Sequence, residues 1–232
     1  TSKNNYMKVK KVNHISLHNE WYDNEIYSKA ETLVLGSFNP YNNDETNNSD
    51  YYYGRSSNHF WKSVSRNNKL NEDYFCNNLD RKKTFMLNNL FCFYDVVDSL
   101  IISCDNENSL DEYVNNKIFN NFLDQNVFKS KTRDFYPISI KRAYNQKVIE
   151  LLNTGKIKKV IHTMGDNTIT KSFETNPKEN NEEIGFQKYI YFIKAICESR
   201  NITFVEESYS PSQYAIKTKK VEIKTLDKWV ND

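Results

Sequence analysis

The alternation of short apolar runs with helical patterns in the second half of the chain limits its possible folds most strongly. A helical pattern at 145–153 ends before Gly155, and an apolar run at 158–163 follows it. A second helical pattern at 187–199 is followed by another apolar run at 202–206. Strands that alternate with helices are typical of a mainly parallel sheet covered by helices on both faces. We therefore predict an α/β fold.

The first half of the chain contains a similar apolar run. Residues 32–36 (TLVLG) end in a glycine and predict a buried strand. After a polar loop, Ser57 is predicted to cap a helix that carries Phe60 and Trp61 on one face. Ligands of open α/β sheets bind beyond the carboxyl ends of the strands. The loops that follow the predicted strands are therefore expected to form one site.

The other segments complete a single predicted domain over 1–232. Residues 1–30 are interpreted as an N-terminal extension, and residues 125–144 as an irregular basic insertion. Further helices are predicted over 72–90, 109–124, 165–176 and the last residues of the chain.

Net charge gives little information on partners, because the formal value is only +2 for 232 residues. The basic residues are nevertheless concentrated in two stretches, Lys129, Lys131, Arg133, Lys141 and Arg142, and then Lys217, Lys219 and Lys220. Such groups can neutralise phosphates. Most basic runs are solvated surface, however, and both interpretations stay open.

Cysteine spacing and hydropathy exclude several classes. The four cysteines, Cys76, Cys92, Cys104 and Cys197, contain no CxxC pair. Neither a zinc ribbon nor a disulfide framework is predicted. No apolar run approaches the roughly 20 residues that span a bilayer, and residues 1–5 precede no apolar signal core. We expect a cytoplasmic monomer without membrane contact, metal or cofactor.

Four motifs carry the candidate chemistry: Gly36-Ser37-Phe38-Asn39-Pro40-Tyr41, Tyr51-Tyr52-Tyr53, Asn58-His59-Phe60-Trp61 and Ser208-Tyr209-Ser210-Pro211-Ser212. Each has an ordinary structural explanation: a strand-ending turn, core aromatics, a helix cap and a common loop composition. Their order along the chain is more informative than any one of them.

Together these motifs resemble the uracil-DNA glycosylase superfamily, and most closely its hypoxanthine-DNA glycosylase and mismatch-specific branches. LVLGSFNP followed by YYYGRSSNHFW is similar to the first conserved block of the family. Further similar elements follow in the family's order, namely FYDVV, SCD with SLD, IHTMG, SYSPS and Trp229. The resemblance covers about 30–124 and 145–230. It implies a three-layer α/β/α fold with a central, mainly parallel four-stranded sheet.

The resemblance also implies a monofunctional DNA glycosylase, which flips a deaminated or modified base out of the helix and hydrolyses its N-glycosidic bond. Asn58 matches the catalytic asparagine of the hypoxanthine branch. Asn39 is similar instead to the Asn-Pro or Asp-Pro-Tyr loop of the mismatch-specific and classical uracil branches. An amide can hold a water and accept from a base edge without carrying charge. The resemblance leaves open whether Asn39 or Asn58 holds the attacking water.

The same resemblance distributes the other roles. Base-binding positions are Ser37, Phe38, Tyr52 and His162. Stacking on the base is expected of Phe38 or Tyr52, although either fits equally well as a core residue. DNA-binding positions are Ser208, Ser210, Pro211, Ser212, Lys217 and Lys219, where hydroxyls, backbone N–H groups and ammonium groups would contact phosphates.

Departures from the family leave the identity of the base open. The interval from Gly36 to Asn58 is a few residues longer than expected, His162 and Met164 stand around the usual Asn-Gly, and the last loop lacks a histidine. Uracil, hypoxanthine and a hypermodified base such as those of phage DNA are all compatible. A DNA-binding module that has lost catalysis is the main alternative, and a nucleotide-handling α/β enzyme is a further one.

Overall fold

The structure is a computed structural model that describes residues 7–19, 21–42, 48–116, 118–127, 138–165 and 186–232. Its strands are β1 (Lys8–Asn13), β2 (Thr32–Gly36), β3 (Phe91–Asp95), β4 (Val97–Cys104), β5 (Ser139–Tyr144), β6 (Lys159–His162) and β7 (Thr203–Phe204). Its helices are α1 (Ser16–Asn19), α2 (Asn24–Lys29), α3 (Phe60–Asn67), α4 (Leu79–Asn89), α5 (Glu107–Asn115), α6 (Ile118–Asn121), α7 (Asp124–Val127), α8 (Gln146–Asn153), α9 (Phe186–Ser199), α10 (Gln213–Lys217) and α11 (Ile223–Asn231).

A four-stranded parallel sheet forms the centre of the site-bearing half, in the order β3-β2-β6-β7. Leu33, Val34 and Leu35 of β2 are all buried, as expected for a strand covered on both faces. The predicted α/β class and the mainly parallel four-stranded sheet are confirmed. The strand predicted at 202–206 is shorter than expected, since β7 has only two residues.

A second sheet is antiparallel, in the order β1-β4-β5, and was not predicted. Part of the basic insertion at 125–144 is therefore regular, because β5 pairs along β4. Ile138, Ile140 and Arg142 are buried and alternate with exposed Ser139 and Lys141. This period of two is typical of a strand, but the basic side chains conceal it in the sequence. Residues 128–137 of the predicted insertion, with Lys129, Lys131 and Arg133, lie outside the described residues.

The predicted N-terminal extension forms part of the core. Ile15, Trp21 and Ile26 are each almost completely buried. The Trp21 ring packs against Tyr51 and Tyr52, with centroids 5.4 and 4.8 Å apart. Residues 1–6 and Glu20 of that segment lie outside the described residues. Strand β1 and the turn after it therefore belong to the same body as the parallel sheet.

Helix boundaries differ from the sequence pattern at several ends. Ser57, the predicted cap, does not cap α3, because the N-cap position is His59 and it makes no side-chain cap hydrogen bond. Asn58 Oδ1 instead accepts from the N–H of Phe60 at 2.9 Å. Asn106 Oδ1 accepts from Ser109 N at 3.0 Å, so α5 starts earlier than predicted. Helix α10 was not predicted, and the helix predicted at 165–176 lies beyond the described residues except for Gly165. Within the described ranges, no helix is long and apolar enough to cross a membrane.

Candidate active site

A pocket of about 250 Å³ lies where the strands of the parallel sheet end. Ser37 follows β2, Asp95 ends β3, Thr163 follows β6, and the loop after β7 supplies a further wall. Eight of the residues predicted for the site line this pocket: Ser37, Phe38, Asn39, Tyr52, Asn58, Ser210, Pro211 and Ser212. Motifs that are far apart in sequence thus meet because parallel strands share one carboxyl edge.

Gly36 allows two functional side chains to cross the end of β2. A Cβ atom at this position would lie 2.0 Å from Asp95 Oδ1 and 2.6 Å from the Tyr53 hydroxyl. Both distances are far below van der Waals contact. The glycine is therefore required by the close approach of a carboxylate and a phenol, and any side chain here would displace them.

The carboxylate of Asp95 is bound by His14, a residue that the sequence analysis did not assign to the site. His14 Nε2 lies 2.6 Å from Asp95 Oδ2, and both side chains are buried. His14 Nδ1 accepts from the backbone N–H of Ser16 at 3.1 Å, so the ring proton is on Nε2 and is donated to Asp95. This contact fixes the carboxylate on the pocket wall and brings the N-terminal segment into the site.

Tyr53 lines the pocket with a left-handed backbone, at φ 56°. Such a conformation is uncommon for a residue with a side chain and occurs often at functional sites. Its hydroxyl lies 2.7 Å from Thr163 Oγ1, and its ring stacks on Phe60 at 5.1 Å. Burial raises the pKa of Tyr53 well above its ordinary value, so the phenol keeps its proton.

The two predicted asparagines both line the pocket, and the amide oxygen of each accepts a hydrogen bond from the protein. Asn58 Oδ1 accepts from Phe60 N at 2.9 Å, and Asn39 Oδ1 accepts from Arg55 Nη2 at 2.8 Å. Backbone N–H and guanidinium groups only donate, so these partners fix which end of each amide is the oxygen. Neither Nδ2 atom has a hydrogen-bond partner among the described residues. The oxygen of Asn58 thus binds the first N–H of α3 from just before the N-cap His59, while its nitrogen has no partner among the described residues.

Arg55 is a half-buried cation on the pocket wall, and it was not predicted. Its guanidinium carbon lies 3.9 Å from the centroid of the Phe119 ring. Its Nε is buried without a hydrogen-bond partner, and within the described ranges the side chain forms no ion pair. Burial lowers the pKa of Arg55 to about 10, which still leaves it charged at neutral pH.

Asp124, at the start of α7, is a second unpredicted acid in the pocket. Its Oδ1 accepts from Ser37 Oγ at 2.6 Å. The residue as a whole is exposed, while its carboxyl group contacts Ser37 on the pocket wall. Partial desolvation raises the pKa of Asp124, the nearby charge of Asp95 adds to the rise, and the hydrogen bond from Ser37 opposes it. No group of metal-binding side chains is found among the residues described.

A buried ion pair fixes the loop that carries Tyr52, Tyr53 and Arg55. Lys82 of α4 is fully buried, and its Nζ lies 2.5 Å from Asp50 Oδ2. Gly54 passes so close that a Cβ atom would lie 1.9 Å from Asp50 Oδ1. The loop conformation is therefore set by a charge contact beneath it.

Phe38 and Tyr52 are mainly core residues whose edges reach the pocket. They are 8% and 4% exposed. Tyr52 stacks on Phe93 at 5.6 Å, and Phe38 meets the His14 ring edge-on at 5.8 Å. Each ring therefore fills the core and also lines the pocket. Stacking of either ring on a base stays a prediction.

Four predicted site residues do not line the pocket. The side chain of His162, expected to bind the base, is fully buried and stacks on Phe204 at 5.8 Å. Strand alternation directs the next residue, Thr163, to the pocket instead. Ser208 is buried and joins two loops, since its hydroxyl donates to His162 O and accepts from Gly165 N. Lys217 and Lys219 are exposed outside the pocket.

Comparison of the chain with protein-family models, curated proteins and solved structures finds no match.

Proposed function

We propose that this chain is a DNA glycosylase with the three-layer α/β/α arrangement, acting on a deaminated or otherwise modified base. The observation that carries the proposal is the convergence of Asn39 and Asn58 in one pocket with Asp95 and Asp124. The two amides come from separate motifs, Asp95 comes from the FYDVV element, and Asp124 comes from the start of α7. An aromatic-edged pocket with amides and carboxylates suits recognition and removal of a heterocycle.

Pocket size supports a single base as the occupant. A volume of about 250 Å³ lies just under the roughly 300–1,000 Å³ of pockets for drug-sized ligands. A base inside a duplex is out of reach of such a pocket, so it must be flipped out of the stack. The edges of Phe38 and Tyr52 offer apolar contact, and the two amide NH₂ groups offer donors to ring carbonyls.

The proposed reaction is hydrolysis at the anomeric carbon. The bond between sugar and base breaks with its electron pair leaving on the base, while water adds to the anomeric carbon and gives up a proton. Asp124 is the proposed acceptor of that proton, because its Oδ2 has no partner among the described residues and only Oδ1 is engaged by Ser37. Asp95, kept in place by His14, would stabilise the positive charge that develops on the sugar.

Contact with the DNA backbone is proposed for the loop after β7. Ser210, Pro211 and Ser212 line the mouth of the pocket, and exposed Lys217 and Lys219 follow in and after α10. The loop is tied to the start of α3, since His59 N donates to Pro211 O at 2.8 Å. A phosphate bound there would therefore lie near Asn58.

The test is incubation of the protein with duplexes that carry uracil, hypoxanthine or hypermodified phage bases, followed by mass spectrometry of released bases. Asn58→Ala and Asn39→Ala should each slow release by about 100-fold, which is typical for loss of one positioned polar group. Asn78→Ala is the matched control, because Asn78 caps α4 through Arg81 N at 3.0 Å and does not line the pocket. It should lose stability without losing rate.

Two outcomes would contradict the proposal. Normal release by both pocket variants would remove the proposed roles of the amides. Salt-sensitive DNA binding without release of any base would support the alternative, a DNA-binding module of the same fold without catalysis.

A further inference from the structure

We propose that Arg55 forms an anion-binding subsite in the pocket, which takes an oxyanion of the substrate. The inference deepens the proposed function, on which it rests, by naming the charge of the group that the site binds. It also makes a prediction about binding that does not require turnover.

The first observation is the incomplete set of partners around Arg55. Its five N–H groups include one that donates to Asn39 Oδ1, while Nε is buried without a partner. One face of the guanidinium is covered by the Phe119 ring. Arg66, by contrast, donates to Asp227 through Nε and Nη2 and pairs with Glu72 through Nη1. A cation that has lost water without gaining a carboxylate is unfavourable unless a ligand completes it.

The second observation is that the acids of the pocket do not serve as that partner. Asp95 binds His14, and Asp124 binds Ser37. Neither lies within ion-pair distance of Arg55. The pocket thus keeps its positive and negative groups apart. This separation leaves the guanidinium for a group that is not part of the described chain.

The third observation concerns the donors beside Arg55. The hydrogen bond from Arg55 orients Asn39 so that its NH₂ group is unused, and the NH₂ group of Asn58 is unused as well. A guanidinium with neighbouring amide N–H groups matches an oxygen that carries negative charge and accepts several hydrogen bonds. A neutral donor group on the substrate would leave all of them unsatisfied.

An oxyanion of this kind has two sources in a nucleic-acid substrate. One is a backbone phosphate. The other is the departing base, which takes the electron pair of the broken bond and delocalises the charge onto its ring oxygens until it receives a proton. The chemistry recognised by Arg55 is the same in both cases, and the probes below separate them.

The experiment measures binding by titration calorimetry and by thermal shift with two kinds of probe. Inorganic phosphate and a duplex with a tetrahydrofuran abasic site provide phosphate without a base. Free 5-fluorouracil, at a pH where it is ionised, provides a base anion without phosphate. We expect Arg55→Gln to weaken binding of one kind by about 10-fold or more, and Arg55→Lys to retain part of it, as for a charged hydrogen bond.

The outcomes are distinct. Loss confined to the phosphate probes assigns the subsite to the backbone, and loss confined to the base anion assigns it to the leaving group. Unchanged affinity for both kinds in Arg55→Gln, or no binding by the wild-type protein, overturns the inference. Arg200→Gln is the matched arginine control, because Arg200 is exposed and does not line the pocket. It should not change binding of either kind of probe.

The base-release assay separates this inference from the proposed function. If the wild-type protein releases a base and Arg55→Gln binds anions as well as the wild type does, the glycosylase proposal holds and the anion subsite is excluded. If anion binding depends on Arg55 but the wild-type protein releases no base, the anion subsite holds and the glycosylase proposal fails.

Discussion

Charged groups are used differently in the pocket and in the contact between α3 and α11. In the α3–α11 contact, every nitrogen of the Arg66 guanidinium donates a hydrogen bond, to Asp227, Glu72 or Ser63. In the pocket, Arg55 has one hydrogen bond and a buried nitrogen without a partner. Each guanidinium loses solvation energy in the folded protein, but only that of Arg66 is compensated by carboxylates of the protein. The difference indicates that the pocket is completed by a ligand, whereas the α3–α11 contact stabilises the chain.

The Lys82–Asp50 pair belongs with the α3–α11 contact in this comparison. It lies under the pocket loop, and the buried Lys82 ammonium has its partner in Asp50 Oδ2. The pocket loop therefore rests on a charge pair, whereas Arg55 and Asp124 on the pocket wall form no ion pair among the described residues. Substitution of the paired charges should lower stability. Substitution of the charges on the pocket wall should lower ligand binding or the rate of base release.

The largest effect is expected for Asp50→Ala. This change leaves the fully buried Lys82 ammonium without a partner, and removal of one member of a buried pair costs about 3–5 kcal/mol in the free energy of unfolding. Lys82→Met should cost less, because Asp50 keeps about a quarter of its side chain in solvent. Urea denaturation of both variants measures the difference. Equal losses would show that the two charges contribute symmetrically, against this assignment.

Asp124→Asn tests a charge on the pocket wall. We expect a loss of about 100-fold in the rate of base release and little change in stability. Desolvation raises the pKa of Asp124. The carboxylate is the form that accepts a proton from water, so the wild-type rate should rise with pH through this raised pKa and then level off. The variant should lack that rise. A pH–rate profile of the same shape in both proteins would exclude Asp124 as the proton acceptor.

The contrast also explains which parts of the site were predictable. The apolar runs of β2 and β6 and the motif order were visible in sequence, and they predicted the sheet and eight pocket residues. His14 was not visible, because its partner Asp95 lies 81 residues away and no local pattern connects them. The direction of each amide was also hidden, since it depends on Arg55 and on the backbone of Phe60. His162 was placed wrongly because a one-residue shift on a strand changes the face of the sheet.

Arg66→Gln should lower the free energy of unfolding by about 1–3 kcal/mol, through loss of charged hydrogen bonds. Burial acts to raise the pKa of Asp227, but Arg66 and Ser63 outweigh it and the pKa is lowered. A carboxyl with a lowered folded pKa adds stability above its unfolded pKa, and that stability is lost as pH falls through the folded value. Wild-type stability should therefore fall more steeply in acid than that of Arg66→Gln. Parallel pH curves for the two proteins would contradict this role for Arg66.

Arg55→Gln should have the smallest effect on stability, with a change near zero or a small gain in the free energy of unfolding. The reason is that removal of a desolvated cation without a carboxylate partner recovers desolvation energy and gives up one hydrogen bond, to Asn39. Denaturation without added anions measures this, beside Arg66→Gln as the arginine control. A loss as large as that of Arg66→Gln would mean that Arg55 is a structural residue like its counterpart, and the distinction between the pocket and the α3–α11 contact would fail. An unchanged free energy of unfolding, together with weaker anion binding, would show that Arg55 serves ligand binding and not the stability of the fold.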